Sequence, residues 1–307
     1  MHAQPHPDQA DPSRREGRLG VGVISAGKVG AVLGAALRAA GHQVVGVHAV
    51  SEDSRTRAES LLDDVPILEI PEILRRSELV LLAVPDDVLS DVVAGAVDAG
   101  HIQTGQLLVH TSGRWGTEVL APAAQSGAIG LAIHPAMTFT GLSMDLQRLS
   151  ACAFAVTAPA PVLPIAQALA VEMGGEPVVV AEGDRGTYHA ALTHAANHLN
   201  TITGQAAEML SGIGVERPDR VLGPLMQASL DNALSSGEGA LTGPVARGDV
   251  GTVTEHIRLL EASELPEDVR TAYVSMARAT AQRAAARGLL SEERAAAILR
   301  ALDGEQA

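Results

Sequence analysis

Residues 19–47 read LGVGVISAGKVGAVLGAALRAAGHQVVGV. An apolar run of strand length leads into a glycine-bearing turn. An amphipathic helix follows, and a second apolar run closes the unit at Val47. That order is the opening βαβ unit of a dinucleotide-binding fold. The turn, Ser25-Ala26-Gly27-Lys28-Val29-Gly30, matches G-x-G-x-x-G except that Ser25 stands at the first glycine. Gly27 lets the backbone approach a pyrophosphate, and Gly30 lets the helix lie close to the strand. The helix N-terminus offers free N–H groups and partial positive charge to the anion. All six turn residues are candidate cofactor contacts.

Composition narrows the classes of partner. The 307 residues are enough for two domains. A formal net charge of −14 argues against nucleic acid and against an anionic membrane surface. Aromatic residues make up 2% of the chain, too few for base-stacking platforms. The single cysteine, Cys152, excludes an intrachain disulfide and fits a reducing cytoplasm. The longest apolar runs are strand-length, so no transmembrane span is expected. Residues 1–18 are rich in Pro, Gln, Asp, His and Arg, lack the apolar segment of a signal peptide, and read as a disordered tail.

Beyond the first unit, strand patterns at 77–85, 106–113, 128–135, 151–157 and 177–180 alternate with helical ones at 69–76, 86–99, 117–126 and up to 173. The alternation predicts an α/β fold with a doubly wound, mostly parallel sheet. From 184 the periodicity is helical almost to 302. The expected organisation is a dinucleotide-binding domain over 19–160 and an all-α domain over 161–307. That alanine-rich helical half offers broad faces that few side chains can cover, so a homodimer is expected.

Three strand ends face the expected ligand cleft. Val84 and Pro85 end one, with small side chains that leave room for a nicotinamide ribose. His110-Thr111-Ser112-Gly113 ends the next, and His134-Pro135 a third. An NAD enzyme usually carries an acid at the end of strand two; here the chain reads Val47-His48-Ala49-Val50-Ser51. Ser51 and Arg55, with Ser54 and Arg57 nearby, suit the 2′-phosphate of NADP. Glu52 and Asp53 are the counter-indication, and a solvated loop is the alternative.

The helix beginning near 184 carries His189, Thr193, Asn197 and Asn200 on one stripe, with His194, His198, Thr201 and Gln205 beside it. A solvated face normally bears Lys, Glu and Arg; this one is polar and nearly uncharged, which suits a cleft or an interface. His194 and His198 have a metal-compatible spacing but no third ligand at a matching one, so no metal is expected. Residues 241–249, LTGPVARGD, break the helices with a tight turn. Arg247 can grip a carboxylate there, or it can pair locally while Asp249 caps the next helix.

Taken in order, SAGKVG, AVPDD, HTSG, HPAMTF, YHAA and LTGPVARGD resemble the family of Rossmann-like oxidoreductases whose C-terminal half is a domain of unknown function. The resemblance covers about residues 19–300. The family is similar in architecture to pyrroline-5-carboxylate reductase, β-hydroxyacid dehydrogenases and ketopantoate reductase. It implies a Rossmann sheet with a helical second domain, NADPH, a small carboxylate substrate such as the 2-oxo acid ketopantoate of pantothenate biosynthesis, and a helical dimer. An imine reductase and a non-catalytic NADP sensor stay as alternatives. Related reductases use a lysine on the first helix of the second domain, whereas the only lysine here is Lys28. The candidate donors are then His189, His134 and Asn197, with Ser112 touching substrate and Arg247 holding its carboxylate.

Overall fold

The computed structural model describes residues 18–304, so the expected tail over 1–18 lies, except for Arg18, outside the described residues. The chain divides into two compact units, with the boundary between Thr193 and His194.

In the first unit, the sheet comprises β1 (Gly20–Ile24), β2 (Gln43–His48), β3 (Leu79–Leu82), β4 (Leu107–His110), β5 (Ile129–Pro135), β6 (Ala153–Thr157) and β7 (Glu176–Val179). Their order is β2-β1-β3-β4-β5-β6-β7, and only the β5–β6 pair is antiparallel. Helices α1 (Lys28–Ala39), α2 (Glu52–Leu61), α3 (Ile70–Arg76), α4 (Leu89–Asp98), α5 (Ala121–Gln125), α6 (Met144–Arg148) and α7 (Leu163–Glu172) flank it.

Successive side chains of a strand point to opposite faces. Leu79 and Leu81 pack with α1, α2 and α7, while Val80 and Leu82 pack with α3, α4 and α5. Both faces are covered, which is why β1, β3 and β4 are buried along their whole length and read as unbroken apolar runs. The junction expected at 160 falls inside this unit, because α7 and the edge strand β7 extend the same sheet.

Helix α8 (Arg185–Gly212) crosses the boundary. The second unit continues with α9 (Pro218–Ser236), α10 (Gly243–Arg247), α11 (Val250–Ala262), α12 (Glu267–Ala286) and α13 (Glu292–Leu302). Val245, Val253, Ile257, Ala281 and Ile298 form its core. Helices α8 and α9 each bury a single residue, Arg185 and Leu222. Leu199, Ile213, Val221, Leu225 and Leu234 on and beside them are exposed. Among the described residues, no helix is long and apolar enough to cross a membrane.

Candidate functional site

The turn after β1 is built as the motif requires. Ser25 adopts φ +77°, the left-handed conformation that glycine usually supplies, and so keeps the turn with some backbone strain. The Ala26 N–H donates to the His48 carbonyl (2.9 Å), tying the turn to the end of β2. Gly27 caps α1, and a Cβ there would meet only Ser25 Oγ, 3.6 Å away. Gly30 is the opposite case: a Cβ would run into the Ser25 carbonyl and lie 2.9 Å from Ala83 Cβ. The first turn of α1 has neither an acidic residue nor a side-chain cap. Its N–H groups are left for an anion, and the open side at Gly27 gives that anion room.

A cavity of about 410 Å³ lies over this turn. Ser25, Ala26, Gly27, Ser51 and Val84 line it, together with His48, Ser54 and Arg57. Pro85 is exposed after Val84, Lys28 opens α1, and Val29 packs partly against the core. The segment after β2 is a helix rather than a loop, with the Ser51 hydroxyl accepting from the Ser54 N–H (3.2 Å). Residues two apart on a helix point to nearly opposite sides. Arg55 is therefore exposed and off the cavity wall, whereas Arg57 lines it, its Nε 3.4 Å from the Ala26 carbonyl. Glu52 and Asp53 occupy the first turn of α2, where acids complement the helix dipole.

A second loop abuts this pocket. Gly141, at φ +82°, sits against Arg57 and Lys28, with room for a Cβ only 2.9 Å from Arg57 Cδ. Asp145, fully buried, holds that loop by accepting from the N–H groups of Thr140 (2.7 Å) and Gly141 (2.8 Å) and from the Thr140 hydroxyl (3.0 Å). Burial alone would raise its carboxyl; the Gly141 and Thr140 donors outweigh that and hold it below the usual carboxylate range.

Further along the same C-terminal edge of the sheet is a cluster of rings. His110 is fully buried; its Nε2 donates to the Gly116 carbonyl (2.7 Å) and its Nδ1 accepts from the Ser112 N–H (3.2 Å). Burial pushes it down to about 4, against the pull of that carbonyl. Ser112 is also buried, and its hydroxyl accepts from the Trp115 N–H (3.2 Å), so it shapes the turn. The Trp115 indole donates to the Asp86 carbonyl (3.2 Å), and the Arg114 guanidinium lies 4.4 Å from its ring.

His134 Nδ1 is 2.9 Å from the Tyr188 hydroxyl, and the His189 ring meets it edge-on at 6.2 Å between centroids. Burial first, then Arg185, His189 and His110, push His134 down to about 4, so it is a neutral ring at physiological pH. Burial pushes Tyr188 up to about 12, with Arg185 opposing. Gly113 leaves the notch between the two histidines: a Cβ there would lie 2.7 Å from His189 Cδ2 and 3.0 Å from His134 Nε2.

Arg185, 1% exposed, supports this edge from below. It donates to Thr157 Oγ1 (2.8 Å) and to the carbonyls of Ser112 (3.2 Å), Ala132 (2.8 Å) and Ala155 (3.1 Å). Arg185 and the Tyr188 hydroxyl were not among the sequence candidates. The available signal was a lone cation at a helix N-terminus, the end where acids belong.

The structure thus brings Ser112, His134 and His189 together in the first unit. Asn197 and Arg247 lie in the second. Asn197 is exposed on α8. Arg247 is exposed at the end of α10, followed by Gly248 at φ +71° and by Asp249, whose carboxylate caps α11 at the Thr252 N–H (3.1 Å). His194 and His198 pair through their Nδ1 atoms (2.8 Å), and no cluster of three metal-type side chains occurs among the described residues. The second unit has its own cavity of about 460 Å³, lined mainly by aliphatic groups such as Ile202, Met209 and Met276, with His256 and Tyr273 in its wall.

Residues 4–135 match the model of a Rossmann-like domain, and residues 152–280 match that of a domain of unknown function (DUF2520). No curated protein matches the chain. Among solved structures, a candidate NADP oxidoreductase from Bacteroides fragilis is similar at a TM-score of 0.69 and 20% identity, over 88% of this chain and 97% of its own. A protein from Thermotoga maritima aligns at 0.64 and 24% identity, over 87% of this chain and 99% of its own. An imine reductase from Pseudomonas sp. aligns at 0.63 and 19% identity, over 93% and 99%. The chain therefore shares the two-domain fold of these structures, with a Rossmann-like sheet domain and a helical region that matches DUF2520.

Proposed function

We propose that this chain is an NADPH-dependent reductase of a small imine bearing a carboxylate. One observation carries the reading: a dinucleotide-type pocket and the His134–Tyr188–His189 group occupy the same C-terminal edge of one sheet. The likeness to an imine reductase supports the choice of substrate. So does the position of the only lysine, Lys28, in the nucleotide loop rather than on α8. An imine nitrogen is far more basic than a ketone oxygen, so it takes its proton from a weak donor such as a histidine.

A reduced nicotinamide would supply the hydride. The α1 N-terminus and Gly27 hold the pyrophosphate, and Ser51, Ser54 and Arg57 face the 2′-phosphate. His189 donates a proton from the Gly113 notch. The exposed apolar faces of α8 and α9 are covered by a second copy of the chain.

Ketopantoate, a 2-oxo acid, is the second reading. It is favoured by the His189 donor at the Gly113 notch, since a ketone oxygen gains negative charge and needs one. NADPH oxidation in the presence of cyclic imines and of 2-oxo acids tests both. Turnover of imines alone is expected; turnover of ketopantoate alone selects the second reading. Tight NADPH binding with no turnover of either makes the protein a sensor. His189→Ala should lower kcat, and Arg247→Ala should chiefly raise KM. Light scattering at micromolar concentration should give the mass of a dimer.

A further inference from the structure

We propose that the loop after β5 sets the cofactor preference: buried Asp145 fixes Gly141 against Arg57, and so aims the Arg57 guanidinium at the 2′-phosphate of NADPH. Gly141 and Asp145 are positioning residues that act through Arg57. That aim has a use only under the NADPH reading of the pocket, on which the proposal rests.

The loop is held by its own contacts. Asp145 lies in the first turn of α6 with its side chain fully buried. Its Oδ2 accepts from two successive backbone groups, the N–H of Thr140 and the N–H of Gly141; its Oδ1 accepts from the Thr140 hydroxyl, with Arg148 Nη1 3.4 Å away. A carboxylate this deep is tolerated because its oxygens are bonded. Two consecutive N–H groups converging on one oxygen impose a tight bend, and Gly141 takes it at φ +82°.

What the bend presents to the pocket is bare backbone. A Cβ on Gly141 would lie 2.9 Å from Arg57 Cδ and 3.1 Å from Lys28 Cγ. The next atom of Arg57 is tied as well, since Nε donates to the Ala26 carbonyl (3.4 Å). Cδ, Nε and the Nε proton all lie in the guanidinium plane. With Cδ stopped by Gly141 and the Nε proton directed at Ala26, that plane and the direction of its two terminal nitrogens are set. Among the described residues no carboxylate bonds those nitrogens. Arg57 lines the cavity together with Ser51 and Ser54. A guanidinium already held loses less freedom on binding, and its fork matches a phosphate through two N–H groups.

Isothermal titration of the full-length protein with NADPH and with NADH tests this without turnover. Wild type should favour NADPH, and Arg57→Ala should remove most of that preference. Gly141→Ala sets a methyl against a movable side chain, so Arg57 gives way: NADPH binding should weaken by about tenfold while NADH stays within about twofold. Asp145→Ala should do the same, whereas Asp145→Asn, which keeps an acceptor for both N–H groups, should bind like wild type. Added to Arg57→Ala, Gly141→Ala should cost nothing further. Equal weakening of both cofactors, an unmoved preference, or a further loss of NADPH in the Arg57→Ala background overturns the proposal. If Gly141→Ala does not fold, Arg57→Lys decides, since it keeps the charge without the Nε donor. A preference lost as in Arg57→Ala supports a held fork; a preference retained overturns it. A wild type that binds both cofactors equally ends the NADPH reading and the proposal together. A preference that Arg57→Ala removes and Gly141→Ala leaves intact ends the proposal alone.

Discussion

Each of the two tyrosines in this chain bonds a histidine Nδ1, one pair in each unit. His134 and Tyr188 are 2.9 Å apart with ring centroids at 5.6 Å and 85°; His256 and Tyr273 are 2.7 Å apart with centroids at 5.8 Å and 76°. The pairs are nearly superposable in chemistry, yet their settings are opposite. The first shares a buried strand edge with a guanidinium and two further imidazoles. The second forms part of an aliphatic wall, and the charges that act across it are the carboxylates of Asp249 and Glu255. A motif of two residues therefore says little about function; the sign of the surrounding charge and the company of other polar groups are what distinguish the two settings.

The largest effect expected of that difference is acid lability of the first unit. Unfolded histidines take up protons near 6.5, while folded His110 and His134 resist until about 4. The unfolded state binds more protons in between, so stability falls as pH drops through that window, by about 2 kcal/mol for each ring at pH 5. Urea unfolding followed at pH 7 and pH 5 by the emission of Trp115, in the same unit, measures it. A midpoint that does not move would erase the distinction between the pairs.

Next in size is the kinetic contrast. Tyr188→Phe removes one hydrogen bond, and a loss of about 1.5 kcal/mol in the transition state is about tenfold in kcat. Tyr273→Phe should leave kcat where it is. Equal losses in the two variants, assayed on the same substrate, would put both pairs in one functional class. The smallest effect is structural: Tyr273→Phe should cost about 1 kcal/mol of stability by chemical denaturation, the net worth of one half-buried hydrogen bond. A much larger cost would mark the second cavity as more than packing.

The fold was legible because the strands of a doubly covered parallel sheet are continuous apolar runs, and the β1–α1–β2 unit carries its own glycine signals. Helix α2 was not, since only Ser54, Ala58 and Leu61 of its ten residues are buried, and so narrow a stripe resembles a solvated loop. The turn of that helix puts Arg57, and not Arg55, on the cavity wall. In the site, His134 and His189 stood out as polar residues at a strand end and on an uncharged helix face. Arg185 could not, because the carbonyls that bury it belong to β5, β6 and the turn after β4, which meet only in the folded sheet. The ring of Tyr188 reads as an apolar helix position, while its hydroxyl supplies the polar contact. The stretch 241–249 is compatible with two readings; the cap by Asp249 is present, and the grip by Arg247 is a proposal.

The position of Trp115 makes the protein its own optical probe. The indole is the only one in the chain, and its ring, backbone N–H and indole N–H are tied to Arg114, Ser112 and Asp86 on the C-terminal edge of the sheet. Its emission is therefore free of background from the helical unit. Reduced nicotinamide absorbs where indole emits, so its arrival on the sheet edge should quench Trp115 by energy transfer. A substrate that shifts the Ser112–Gly113 turn should change the colour of the same light, which lets cofactor and substrate binding be read separately in the unlabelled protein.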